Sequence, residues 1–134
     1  MKNDQINFIP FIGFMFLTIG ITYGSLTPAS GEGGLLSLLS FEVNDKLIHG
    51  FFYLLLAGSF YFGLIRQKKP ISNSVKIILS FSIPLLLGVI IEIIQWKLIE
   101  TRQGEFKDII ANSLGIFIAI AVFQGYQLKP LQRK

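Results

Sequence analysis

Four stretches of this chain are apolar almost without interruption, and each has the length a bilayer asks for. They run over 8–25, 46–65, 77–99 and 108–126, with polar residues gathered at their ends and between them. A spanning helix needs about 20 largely apolar residues, and in hydrocarbon every backbone N–H and C=O must be paired within its own segment, which a helix achieves. The pattern therefore predicts an all-α, polytopic membrane protein: a bundle of four transmembrane helices forming one domain over 1–134. The second run stops at Arg66, Lys68, Lys69 and Pro70, a cationic end followed by a helix breaker. Pro84 and Gly88 predict a kink in the third, and Gly13, Gly20 and Gly24 predict close packing along the first. Between the first two runs, Pro28, Gly31, Gly33 and Gly34 mark a loop, and Leu35 to Phe41 is too short to span and is expected at the interface. Lys2 before the first run and Thr27-Pro28-Ala29 after it resemble a secretory leader, but the run is long for one.

Composition agrees with the hydropathy pattern. With 51% hydrophobic residues, 15% charged and a mean hydropathy of +0.60, the chain has too few charges to cover a water-facing surface. Cysteine is absent, which excludes disulfides, thiolate metal sites and a cysteine nucleophile. The net charge of +4 forms no basic domain that would grip nucleic acid, because the cations are scattered over the helix ends. Sorted by side, eight of the 12 lysines and arginines (Lys2, Arg66, Lys68, Lys69, Lys76, Lys129, Arg133, Lys134) fall with the two termini. Lys46, Lys97, Arg102 and Lys107 fall opposite. Cytoplasmic loops carry the excess of Lys and Arg, so both termini are expected in the cytoplasm.

The polar exceptions inside the runs converge. Asp45, His49 and Tyr53 are spaced four apart and make one stripe on the second helix, with Lys46 beside it. Glu92 and Gln95 share a face of the third helix, Asp108 and Asn112 share a face of the fourth, and Arg102 lies between them. At 1.5 Å of rise per residue, His49, Gln95 and Asn112 are expected roughly 5 Å below the outer interface, and Glu92 and Tyr53 roughly 10 Å below it. An ionisable group in the membrane costs at least about 2.5 kcal/mol and ordinarily faces the bundle interior with a partner. Each member also has a plain structural role open to it. Asp45 and Asp108 suit helix N-termini, Tyr53 suits a core, His49 an interhelical hydrogen bond, and Glu92 a salt bridge with Arg102.

Together these residues resemble the VanZ-like family of small bacterial membrane proteins, named for a member associated with resistance to the glycopeptide teicoplanin. The resemblance rests on Ser25-Leu26-Thr27-Pro28, on Asp45-Lys46-x-x-His49-x-x-x-Tyr53, and on Glu92-x-x-Gln95 followed by Arg102, Asp108, Asn112 and Gly115. Gly50 stands where the family often has an aromatic, and a proline-containing stretch before Arg102 is missing. The resemblance implies a multi-pass protein of the bacterial cytoplasmic membrane with a role at the cell envelope.

Three functions compete on this evidence. In the first, an outward-facing pocket binds or modifies a lipid-linked or cell-wall-related substrate: Asp45, His49, Glu92 and Asp108 are the acid–base candidates, and Lys46, Tyr53, Gln95, Arg102 and Asn112 hold the substrate. In the second, the cluster is a packing network of a scaffold or binding partner. In the third, Glu92 and His49 carry protons in an oligomeric transporter, but the inner halves of helices two to four offer only Ser59, Tyr61, Ser80, Ser82 and Gln124 to continue a path. One histidine and no fixed ligand motif lead to no expected metal or cofactor, although Asp45, His49, Glu92 and Asp108 include suitable ligand types. Membrane lipids are the expected surroundings.

Overall fold

The structure, a computed structural model, describes residues 6–26, 45–98 and 106–128, with Asp45 and Leu128 described by backbone alone. A 3₁₀ turn, Ile9–Phe11, leads into α1 (Ile12–Leu26), followed by α2 (Asp45–Ile65), α3 (Asn73–Leu98) and α4 (Phe106–Leu128). All four elements are long and apolar enough to cross a membrane. The fold is that of a multi-pass membrane protein. The segment around Leu35 to Phe41 and Arg102 lie outside the described residues.

The starts of α3 and α4 move outward from the sequence reading. α3 begins at Asn73 because Ser72 caps it: the Val75 N–H donates to Ser72 Oγ at 3.4 Å and the Lys76 N–H to Ser72 O at 3.1 Å. α4 likewise takes in Phe106 and Lys107. Hydropathy misses a polar first turn, which a cap recovers. α3 runs unbroken through Pro84.

The bundle is turned inside out relative to a soluble protein. α3 buries Ser80, Pro84, Gly88, Ile91, Glu92 and Gln95, a stripe at helical spacing made largely of small and polar residues. Large apolar side chains such as Phe16, Leu86, Ile90, Phe117 and Val122 point outward. Lipid tails are as apolar as Leu, so burial of apolar area does not hold such helices together; close packing and interhelical hydrogen bonds do.

Close packing is most severe between α2 and α4, which share the most extensive interface. A Cβ on Gly115 would overlap the Gly50 carbonyl oxygen, and one on Gly50 would lie 3.3 Å from Ala111 O. The two backbones touch here, and only glycine allows it. By contrast, a Cβ on Gly20 or Gly24 would meet nothing within 4 Å, so the glycines expected to mark packing along α1 do not do so; Gly13 has only ordinary contact with Ser59. α1 is peripheral, and Ile21 is its sole buried residue.

Hydrogen bonds tie the helices into an up-down-up-down order. At the end holding the α2–α3 connection, the Gln67 amide donates to Asn7 O and Gly63 O, both at 2.9 Å, and accepts from the Asn7 N–H at 2.9 Å. Tyr61, Gln124, Gln127, Asn73 and Lys76 form a network across α2, α3 and α4 at that same end. Gln67→Ala is expected to lower stability by about 1–2 kcal/mol, since it removes both bonds to Asn7 and the one to Gly63 O that orients the amide. Thermal unfolding in detergent measures this, and an unchanged midpoint would show that the aromatic contacts alone hold the segment.

Candidate functional site

The opposite end of the bundle carries the ionisable residues, each delivered by a different helix. His49 lies one turn into α2, Glu92 is on the buried stripe of α3, and Asp108 is in the first turn of α4. One ligand atom from each lies within 4.8 Å of the other two, with Glu92 and Asp108 buried and His49 half-buried. Lys46 joins them: its Nζ is 2.8 Å from Asp108 Oδ1, an ion pair whose angle falls outside hydrogen-bond geometry. Buried carboxylates are tolerated when cations and donors surround them, and Lys46 supplies a cation here.

Tyr53 and Asn112 meet one turn deeper. The position of a Cβ on Gly88 is 3.0 Å from the Tyr53 hydroxyl and 3.1 Å from Asn112 Nδ2, so both side chains rest on that glycine. The Glu92 carboxylate acts electrostatically on the Tyr53 phenol. Asn112 is almost fully buried, and its Oδ1 has no hydrogen-bond partner among the described residues.

Most of the residues singled out from sequence are thus brought together: Glu92 with His49 and Asp108, and Tyr53 with Asn112 against Gly88, one turn from Glu92 along α3. One differs. Gln95 turns away to α1, where its Nε2 donates to Ser25 O at 2.7 Å and satisfies a carbonyl in the last turn of that helix. Asp45 opens α2, but its side chain lies outside the described residues, as does Arg102.

An imidazole and two carboxylates are a donor set that a divalent cation accepts, and His49, Glu92 and Asp108 would be its ligands. Lys46 already neutralises Asp108, so the cluster has a charge partner without a metal.

Beside the cluster, a groove of about 740 Å³ descends between α2 and α4. Gly50, Ala111 and Gly115 line it together with Phe51, Leu114 and Ile118, and the Lys46 side chain stands at the end nearest Asp108. Sequence reading named Gly115 without this role. Tyr61 and Gln124, weighed from sequence only as steps of a proton path, belong to a second polar layer, which the i, i+3 spacing of Asn73 with Lys76 and of Gln124 with Gln127 signals.

Fold and site together define a class: a four-helix membrane bundle with an ionisable cluster beneath one end. No protein-family model, curated protein or solved structure gives a significant match to the chain.

Proposed function

We propose that this is a VanZ-like protein of the bacterial cytoplasmic membrane whose cluster binds a lipid-linked or cell-wall-related substrate at the outer face. One observation carries the reading: three helices bring His49, Glu92 and Asp108 within 4.8 Å of one another in a low-dielectric setting. A scaffold needs no such convergence, because polar groups in membrane helices are satisfied more cheaply in pairs, as Gln95 is with Ser25. The neighbouring groove supports a substrate with a hydrocarbon tail, since it reaches Lys46 directly from the lipid-facing side. Lys46 and Arg102 hold an anionic headgroup. His49, with Glu92 or Asp108, gives the pocket acid–base capacity of the sort worth about 10²–10⁴ in rate. The outward orientation follows from the distribution of Lys and Arg, and the glycopeptide link follows from the family resemblance.

Glu92→Gln, His49→Ala and Arg102→Ala test this. Each is purified in detergent for thermal unfolding and expressed in cells challenged with teicoplanin. The expected result is a fold within about 1 kcal/mol of the wild type, with susceptibility returned to that of cells lacking the protein. Loss of resistance in proportion to loss of stability would make the cluster structural and overturn the proposal.

A further inference from the structure

His49, Glu92 and Asp108 bring one imidazole and two carboxylates around a space of ionic size, since one donor atom from each lies within 4.8 Å of the others. No ligand motif along the chain marks this set, because its members come from three different helices. Zinc holds nitrogen and oxygen ligands at about 2.0–2.2 Å, which sets neighbouring ligands roughly 3.5 Å apart in a tetrahedron, so side-chain adjustments of about 1 Å close the set. The donors also select among metals. An imidazole with carboxylate oxygens and no thiolate suits Zn²⁺, while Mg²⁺ asks for oxygen ligands in a near-ideal octahedron.

A fourth donor lies one turn deeper, and it points to a ligand independently. Asn112 is 1% exposed, and its Oδ1 has no hydrogen-bond partner among the described residues. A buried acceptor left unmade is costly, so such an atom ordinarily has a use. Side chains lean toward the N-terminus of their own helix. α4 starts at this end of the bundle and α3 finishes there, so Asn112 leans back toward the turn of Asp108, while Glu92 leans toward Gly88, on which Asn112 rests. The two side chains therefore converge. Lys46 is the internal counterion that an arriving cation displaces: its Nζ is 2.8 Å from Asp108 Oδ1, and its side chain, 29% exposed, has a stem long enough to swing to the interface.

We propose that His49, Glu92 and Asp108, with Asn112 Oδ1 as a fourth donor, form a binding site for a divalent metal ion, zinc before others. The ion would give the substrate pocket a Lewis acid for a substrate oxygen. That use of the ion rests on the substrate reading of the same cluster; the binding of it does not.

The test uses the whole chain, free of any tag, in detergent after dialysis against a chelator and then against Zn²⁺, Mn²⁺ or Mg²⁺ alone, with bound metal counted by elemental mass spectrometry. Background binding is low, because the chain has one histidine and no cysteine. The wild type is expected to retain one Zn²⁺ per chain, in preference to Mn²⁺ and Mg²⁺. His49→Ala, Glu92→Gln and Asn112→Leu each weaken zinc binding at least about tenfold, whereas Asn112→Asp keeps it. Lys46→Gln tightens it, since a like charge leaves the site. In the wild type itself, with no variant to fold, zinc is expected to shield His49 from carbethoxylation by diethyl pyrocarbonate. Absence of bound zinc from the wild type overturns the proposal, as does zinc that survives His49→Ala and Glu92→Gln, is indifferent to Asn112→Leu, or leaves His49 open to carbethoxylation. Zinc lost from these variants while their teicoplanin resistance stays intact overturns the substrate reading and leaves the metal site standing.

Discussion

Gly115→Ala is expected to destabilise the bundle by about 3 kcal/mol, and Gly115→Leu to prevent it from forming. Overpacking an interior ordinarily costs about 1–3 kcal/mol, because a side chain on the other side shifts or changes rotamer. Here the obstacle is the Gly50 carbonyl, with Leu54 N close behind it, and a helix backbone yields only by moving the helix. Separating α2 from α4 loosens the most extensive interface in the molecule and draws His49 away from Asp108. Gly125→Ala is the matched control: nothing lies within 4 Å of its Cβ position, and alanine favours helix by up to about 1 kcal/mol, so it is expected to be neutral or slightly stabilising. Thermal unfolding and monodispersity in detergent separate the two. If Gly115→Ala unfolds with the wild type, the helices do not cross at this pair.

The Lys46–Asp108 pair gives the second large effect. The Asp108 side chain is 9% exposed and the Lys46 side chain 29%, so losing either partner has unequal consequences. Lys46→Met strands a buried carboxylate beside Glu92 and is expected to cost about 3 kcal/mol, the lower end for breaking a buried pair. Asp108→Leu removes one partner of a cation whose long flexible stem reaches the interface, at about 1–2 kcal/mol. The double variant removes both charges together and is expected to recover most of the loss, since an apolar pair of similar size has no desolvation to overcome. A double-mutant cycle measures the coupling, expected to exceed about 1 kcal/mol, and simple additivity would dissolve the pair. Under the proposed function the double variant also separates structure from activity: its fold returns, while the resistance proposed for the wild type does not.

Much of this was legible because a bilayer is a demanding solvent. Span number and helix type follow from the length and apolarity that hydrocarbon imposes, and Glu92 announced itself as the group most expensive to bury. Pairing was harder to see. Gln95 looks like a member of the cluster until the end of α1 supplies Ser25 O. Gly20 and Gly24 look like packing residues until α1 proves peripheral. The contact between Gly50 and Gly115 depends on where two helices cross, which spacing along either helix does not fix.

α3 holds the most hydropathic span of the four helices, and it carries the buried carboxylate. In order of synthesis it emerges before α4, so Glu92 reaches the bilayer ahead of Asp108. An acid makes a helix a poorer substrate for the insertion machinery, which charges about 2.5–3.5 kcal/mol for a charged residue at the centre of a span, and Glu92 lies within two turns of the end of α3. The surplus of isoleucine and leucine around Glu92 exceeds what packing requires, because most of it faces outward. It acts as ballast during biogenesis, carrying an acid into the membrane ahead of the helix that completes its surroundings.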